Sequence, residues 1–225
     1  MEKEIKTQEL ISIKDLFLNS WDIYKKDFKK FLVIAVIFFG IAGLIMTFIG
    51  PEIPEDEFLF TLPWYLFFPI ILVATFISIL GSASLISAVK EVPKDWQIKE
   101  VIKEGWSKYW SFLLVSSLAG LVIGIGFLLF IVPGIILAVW FAFSVYTVIC
   151  EDKRWFKALS RSKQLVKGRW WSVAIRVFAI IIVIFFLTMC AKFIPYLGQL
   201  AYMIFFTPFY VIYNYLIYQN LRETK

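Results

Sequence analysis

Residues 151–171, EDKRWFKALSRSKQLVKGRWW, bring seven Lys or Arg side chains together with two adjacent carboxylates. Two kinds of chemistry could use such a set: acid–base work by the carboxylates, or the binding of phosphate and anionic headgroups by the bases. The first fits poorly. General acid–base catalysis usually draws on His, or on a carboxyl whose pKa burial has raised, and the chain has no His and no acid inside its long apolar runs. Glu151 and Asp152 would diverge by about 100° around a helix, which suits a cap and a solvated charge better than a catalytic pair. Glu223 could meet them only through tertiary folding. There is no Gly-rich loop after a strand, no CxxC and no Cys/His cluster, so no catalytic residue, cofactor or metal is expected.

The bases read more clearly. On a helix over 154–168, Trp155, Leu159 and Val166 fall within about 40° of one another, flanked by Ala158, Ser162, Leu165 and Phe156. Arg154, Lys157, Arg161 and Lys167 take the opposite side, with Lys163 beside them. Asp152 suits the N-cap and Gly168 the C-terminal stop. The pattern predicts a helix lying at a membrane interface with its basic side toward water or phosphates. Trp170-Trp171 would mark headgroup level where the next span begins. The candidate lipid-headgroup residues are therefore Arg154, Lys157, Arg161, Lys163, Lys167, Arg169, Trp170 and Trp171.

Such a helix needs a membrane, and the composition calls for one. The chain is 60% apolar, with 24 Phe and a mean hydropathy of +0.79, whereas soluble domains hold about 45–50% apolar residues. Apolar runs fall at about 31–50, 58–89, 111–131, 133–150, 171–191 and 194–218, each near or above the ~20 residues that cross a bilayer core. From Trp110 to Cys150 there are 41 residues without a charge. One straight helix of that length would measure about 61 Å, twice the core, so the segment must fold back. Pro133-Gly134 is the expected hinge, and IPYLG at 194–198 the next tight turn. The expected fold is all-α: a polytopic transmembrane helical bundle of about six spans, forming one membrane domain with amphipathic interfacial helices.

Of the 23 Lys and Arg, 21 lie within 1–30, 90–109, 151–169 and 219–225, which share one side if there are six spans. The other side has PEIPEDEF, with four acids and no base, and Lys192. Bases in short loops stay in the cytoplasm, so both termini are expected on the cytoplasmic side of the cell membrane. Topology thus accounts for the net charge of +6 without nucleic acid. The polar first 30 residues are unlike a cleavable signal peptide. Arg176 lies about 9 Å into span five, where its stem could run back to the headgroups or its guanidinium could line a polar cavity. Cys150 and Cys190 fall at opposite ends of spans, too far apart for a disulfide.

IKDLFLNSW (13–21) aligns without gaps on IKEVIKEGW (98–106), and residues 151–171 follow the same pattern. The unit is a polar-faced helix followed by two spans, three times, which predicts a pseudo-threefold arrangement. Ser12 and Asp15 form a capping box for the first polar-faced helix, whose apolar positions are Ile13, Leu16, Phe17, Tyr24 and Phe28. Gly120 and Gly124, with Ser116, suit close packing against Ala138 and Ala142 within the hairpin, ahead of self-dimerisation. Gly81, Ser84 and Ala88 offer span two a similar small face.

Pro133-Gly134, Glu151-Asp152, Ala158-Leu159, Arg161-Ser162, Leu165, Gly168 and Trp170-Trp171 resemble the signature of the membrane domain found beside some bacterial glycerophosphoryl diester phosphodiesterases and, more often, standing alone. The ending TPFYVIYNYLIYQNLRE is similar to that family's close, with Asn220 in place of an acid. The resemblance covers about 130–222 and implies a polytopic helical domain with no established reaction of its own. It does not imply phosphodiesterase activity, because the catalytic barrel of those enzymes is a separate domain using His and metal-binding acids.

The expected function is that of a non-catalytic multi-pass membrane protein that binds or organises lipids or partner proteins at the cytoplasmic leaflet. The alternative is a transporter or permease subunit, using interruptions at Pro63, Pro69 and Pro208 and polar groups such as Thr75, Ser78, Ser82 and Asn214. A membrane-embedded lipid enzyme would need an acid–base pair that the sequence does not offer.

Overall fold

The computed structural model describes residues 10–44, 64–92, 94, 96–193 and 197–224. PEIPEDEF, Pro63 and residues 194–196 of the second expected turn lie outside them. The regular structure of the described residues is helical: α1 Ile13–Lys26, α2 Phe28–Ala35 continued by a π-helical turn Val36–Gly40, α3 Trp64–Glu91, α4 Ile98–Ser107, α5 Tyr109–Leu129, α6 Ile131–Phe141, α7 Ser144–Glu151, α8 Phe156–Val166, α9 Trp170–Ala191 and α10 Leu197–Glu223. Five stretches among them are long and apolar enough to cross a membrane: Phe68–Glu91, Tyr109–Leu129, Ile131–Glu151 (α6 and α7 together), Trp170–Ala191 and Leu200–Glu223. The chain is a multi-pass helical membrane protein. The run at 31–50 is helical as far as Leu44, and its remainder is not among the described residues.

The fold-back between α5 and α6 is tighter than a Pro-Gly hinge. Phe130 alone, at φ −162° and ψ 154°, reverses the chain. Pro133 falls in the first turn of α6, where helical N–H groups lack partners in any case, so its missing donor costs nothing. Gly134 serves the packing: a Cβ there would stand 2.4 Å from the Phe127 ring, and one on Gly126 would stand 3.1 Å from the Gly134 Cα. The expected hinge is therefore one extended residue, and the close approach uses Gly126 and Gly134. Gly120 and Gly124, expected to pack within the hairpin, are exposed, and a Cβ on either would meet nothing within 4 Å. On α3 the small face behaves as expected, since a Cβ on Gly81 would strike Phe38 and one on Gly105 would strike Ser84. Pro69 and Pro208, expected as interruptions, lie inside continuous helices.

The order of helix contacts repeats three times. Each short helix folds back on the last helix of the pair before it: α4 on α3, α8 on α6 and α7, and α1 on α10. The three last helices meet at the centre, with α3 touching α7 and α10. Tyr146 of α7 stacks on Tyr218 and donates to the Val211 carbonyl of α10. Aligned positions take the same environment: Leu16 and Val101, Ser20 and Gly105, and Tyr24 and Tyr109 are buried, while Trp21 and Trp106 are exposed. In α8 the spacing recurs as Ala158, Ser162 and Val166, all fully buried. The Ser12 capping box forms as expected, its Oγ accepting the Asp15 N–H at 3.1 Å and donating to the Asp15 carboxylate at 2.7 Å.

Candidate functional site

The site lies where α7 ends and α8 turns back. Asp152, at φ 53°, closes α7 as a left-handed C-cap, so its expected role as N-cap of the next helix is corrected. Trp155, at φ 54° and ψ −135°, is the residue before α8. Two positive-φ residues within four reverse the chain. The Trp155 conformation costs about 1–3 kcal/mol for a residue with a Cβ, and the α8 packing must offset it.

That packing uses the expected apolar arc, but the arc faces protein. Ala158, Leu159, Leu165 and Val166 are buried, and Thr147 donates to the Ala158 carbonyl at 3.3 Å. Ser162 donates to the Trp140 carbonyl at 2.7 Å and accepts the Phe143 N–H at 3.2 Å, filling the break between α6 and α7. Trp155, placed by periodicity on the same arc, is 58% exposed, and Phe156 is 69% exposed. Gly168, at φ +88°, ends the segment as expected.

Glu151 is neither a cap nor a solvated charge. Its carboxylate accepts from Arg161 Nε at 2.8 Å and from the Tyr218 hydroxyl at 2.9 Å, so it joins α7, α8 and α10. Beside it, Lys108 reaches the Ile149 carbonyl, the Asp152 carboxylate and Glu104, and Glu104 also accepts from Lys90 at 2.8 Å. Burial opposes the Glu104 carboxylate, but the hydrogen bonds from Lys90 and Lys108 outweigh it and hold its pKa below the ordinary value. The Lys108 contact lowers Asp152 in the same direction. A depressed carboxyl contributes stability above its unfolded pKa, near 4.3 for Glu, and loses it as pH falls through the folded value. Denaturant titrations of the unmodified protein should therefore lose stability below about pH 4.3, and Glu104→Gln should flatten that loss. An unchanged acid limb would place the transition on other carboxylates.

A cleft of about 450 Å³ is lined by Glu151, Lys153, Lys157, Ser160, Arg161 and Gln164. Arg161 is held by Glu151, while Lys153 and Lys157 are exposed and form no ion pair among the described residues. Two ammonium groups, a hydroxyl and an amide around one opening can accept a phosphate group, with charge from the lysines and direction from the neutral donors. Of the eight expected residues, the cleft gathers Lys157 and Arg161. Lys163 lies 4.3 Å above the Trp140 ring, Arg169 donates to Thr224, and Trp170 donates to the Ile136 carbonyl at 3.4 Å. Arg154, Lys167 and Trp171 point outward. Lys153, Ser160 and Gln164 were not expected. Lys153 belongs to the turn and not to the helical period, so a wheel could not place it.

Cys150 and Cys190 are free thiols. A second cavity, about 290 Å³, is bounded partly by Thr75, Ser78, Ser82 and Met203. Ser78 and Ser82 donate to their own helix, at Ala74 and Ser78, and Asn214 likewise donates to Tyr210. The family model described as a domain of unknown function (DUF7847) matches residues 53–212. No curated protein and no solved structure matches the chain.

Proposed function

The chain belongs to the DUF7847 family of domains of unknown function, and from the geometry of its own residues we propose that it is a non-catalytic multi-pass protein of the cell membrane that binds anionic lipid headgroups at the cytoplasmic leaflet. The observation that carries this reading is the cleft in which Lys153 and Lys157 lie free of ion pairs among the described residues, beside Ser160 and Gln164. The exposed Trp155 and Phe156 next to it are side chains that favour the boundary between headgroups and acyl chains. The distribution of 21 of the 23 bases among alternate connections supports cytoplasmic termini and a cytoplasmic cleft. The serine and asparagine groups that a permease path would use are bonded to their own helices, which favours the lipid reading.

Each base near an anionic surface contributes about 1 kcal/mol, so the two free lysines together account for about 2 kcal/mol, or about 30-fold. The Lys153→Gln/Lys157→Gln double variant should lower the ratio of phosphatidylglycerol to phosphatidylcholine retained in native mass spectrometry by that order. Lys163→Gln should leave it unchanged, because that ammonium is engaged with Trp140. An unaltered ratio in the double variant, with helix content preserved, would assign these charges to membrane topology alone.

A further inference from the structure

A third cavity, lined by none of the residues of the other two, lies against α10. Helix α1 runs antiparallel along α10: Phe17 contacts Tyr213 and Phe209, and Tyr24 donates to the Phe205 carbonyl, with Phe28 of α2 stacked on the Phe205 ring. Helix α9 lies beside both, its Arg176 bonded to the Leu10 and Ile11 carbonyls before α1 and its Arg176 carbonyl accepting the Tyr213 hydroxyl at 3.1 Å. Between the three is a slot of about 370 Å³. One wall is aromatic, with Phe17, Trp21 and Tyr24 of α1 and Phe28 at the start of α2; the other is aliphatic, with Ile180, Val183, Ile184 and Leu187 of α9. One turn before Ile180 and outside the lining, the Arg176 guanidinium ties the Leu10 and Ile11 carbonyls to α9. The side is open, since Phe205, Phe206 and Tyr210 are 37–43% exposed.

We propose that this slot holds one acyl chain of an anionic phospholipid drawn from the surrounding bilayer. Its size falls within the range of about 300–1,000 Å³ usual for ligand sites, and its walls are aliphatic and aromatic. The Tyr24 hydroxyl is already donated to the Phe205 carbonyl at 3.0 Å, so it is not free to orient a polar ligand. Two turns of a helix from a second copy, about 10–12 Å across with side chains, would displace roughly 1,000 Å³, more than the slot holds. The open side is edged by the exposed Phe205, Phe206 and Tyr210, side chains of an apolar span. At the rim, the exposed Lys25 lies 5.1 Å above the Trp21 ring, with the exposed Lys26 next to it. That places cations where the headgroup of a slotted chain would emerge. α1 thus acts as a bracket: its apolar side closes over the chain and its charged side attracts the headgroup.

The test uses the full chain in phosphatidylcholine vesicles containing phosphatidylglycerol with a diazirine near the end of one acyl chain. After illumination and digestion, adducts should map to the slot residues of α1, α9 and α10 several-fold above those on the exposed hairpin tip at 128–132. Ile184→Trp and, separately, Val183→Trp fill the slot and should remove those adducts while leaving the tip adducts in place. Lys25→Gln should keep their position and reduce the preference for the phosphatidylglycerol probe over a phosphatidylcholine probe. Adducts spread evenly over slot and tip, or persisting in both filled variants, would overturn the proposal. So would equal labelling by the two probes in the unmodified protein. The Lys153→Gln/Lys157→Gln variant should retain the slot adducts, so this result and the headgroup reading of the α8 cleft fail separately.

Discussion

Gly198→Ala should lower the thermal midpoint by about 6–12 °C, the shift expected for about 3 kcal/mol in a chain of this size. Gly198 is buried in the first turn of α10, and a Cβ built there would stand 2.0 Å from the Ala191 carbonyl oxygen and 2.9 Å from its carbon. The obstacle is backbone at the end of α9, which cannot swing aside as a side chain can. The α9–α10 pair must therefore open, with a cost at the upper end of the ~1–3 kcal/mol typical of overpacking. Gly120→Ala is the matched control. A Cβ there meets nothing within 4 Å, so the helix gains about 0.5–1 kcal/mol from the lost backbone freedom. Circular dichroism melts of both variants in one detergent would check the pair. Equal midpoints for Gly198→Ala and the unmodified protein would mean that the two helices do not approach so closely.

What the sequence made legible follows from how local each determinant is. The Ser12–Asp15 cap spans four residues, and its Oγ accepts the Asp15 N–H as expected. The alignment of 13–21 on 98–106 reports burial because both segments present their period to the same kind of neighbour, and Tyr24 and Tyr109 are equally buried. The limits of α8 were visible to within two residues, because Gly168 supplies the left-handed stop. Determinants that depend on chain reversal were not visible. Glu151 and Arg161 are ten residues apart, and only the turn through Asp152 and Trp155 brings them within 2.8 Å. Small residues were legible as a stripe, but a stripe does not say which neighbour it faces. Gly126 and Gly134 meet across the hairpin, whereas the more regular pair Gly120 and Gly124 looks outward. The prolines mislead for a related reason: Pro133 sits where a first turn has no use for its N–H. Pro208 removes only the donor to the Ile204 carbonyl, and the helix continues through it.

Arg176 shows how much a single charged group inside a span can bind together. Its Nε donates to the Ile11 carbonyl at 2.9 Å, one Nη to Leu10 at 3.0 Å and the other to Ser172 at 2.7 Å. Asn220 completes the attachment by accepting the Ile11 N–H at 3.2 Å. The side chain neither runs free to the headgroups nor opens onto a cavity; it clamps the start of α1 to α9. A charged donor shared among carbonyls contributes about 1.5–3 kcal/mol, and the planar fork is what lets one side chain serve three acceptors. Arg176→Met should therefore release residues 10–12, lowering protection of the Ile11 amide, which is bonded to Asn220, in hydrogen exchange by about 30- to 150-fold, the equivalent of 2–3 kcal/mol. Cleavage by trypsin after Lys14 should rise with it, while α9 remains inserted. Arg176→Lys separates geometry from charge. An ammonium on a flexible stem could still run to the headgroups but cannot reproduce the fork, so the lysine variant should behave like the methionine variant. Full protection in Arg176→Lys would show that the charge alone holds the segment and that the three carbonyl contacts are incidental.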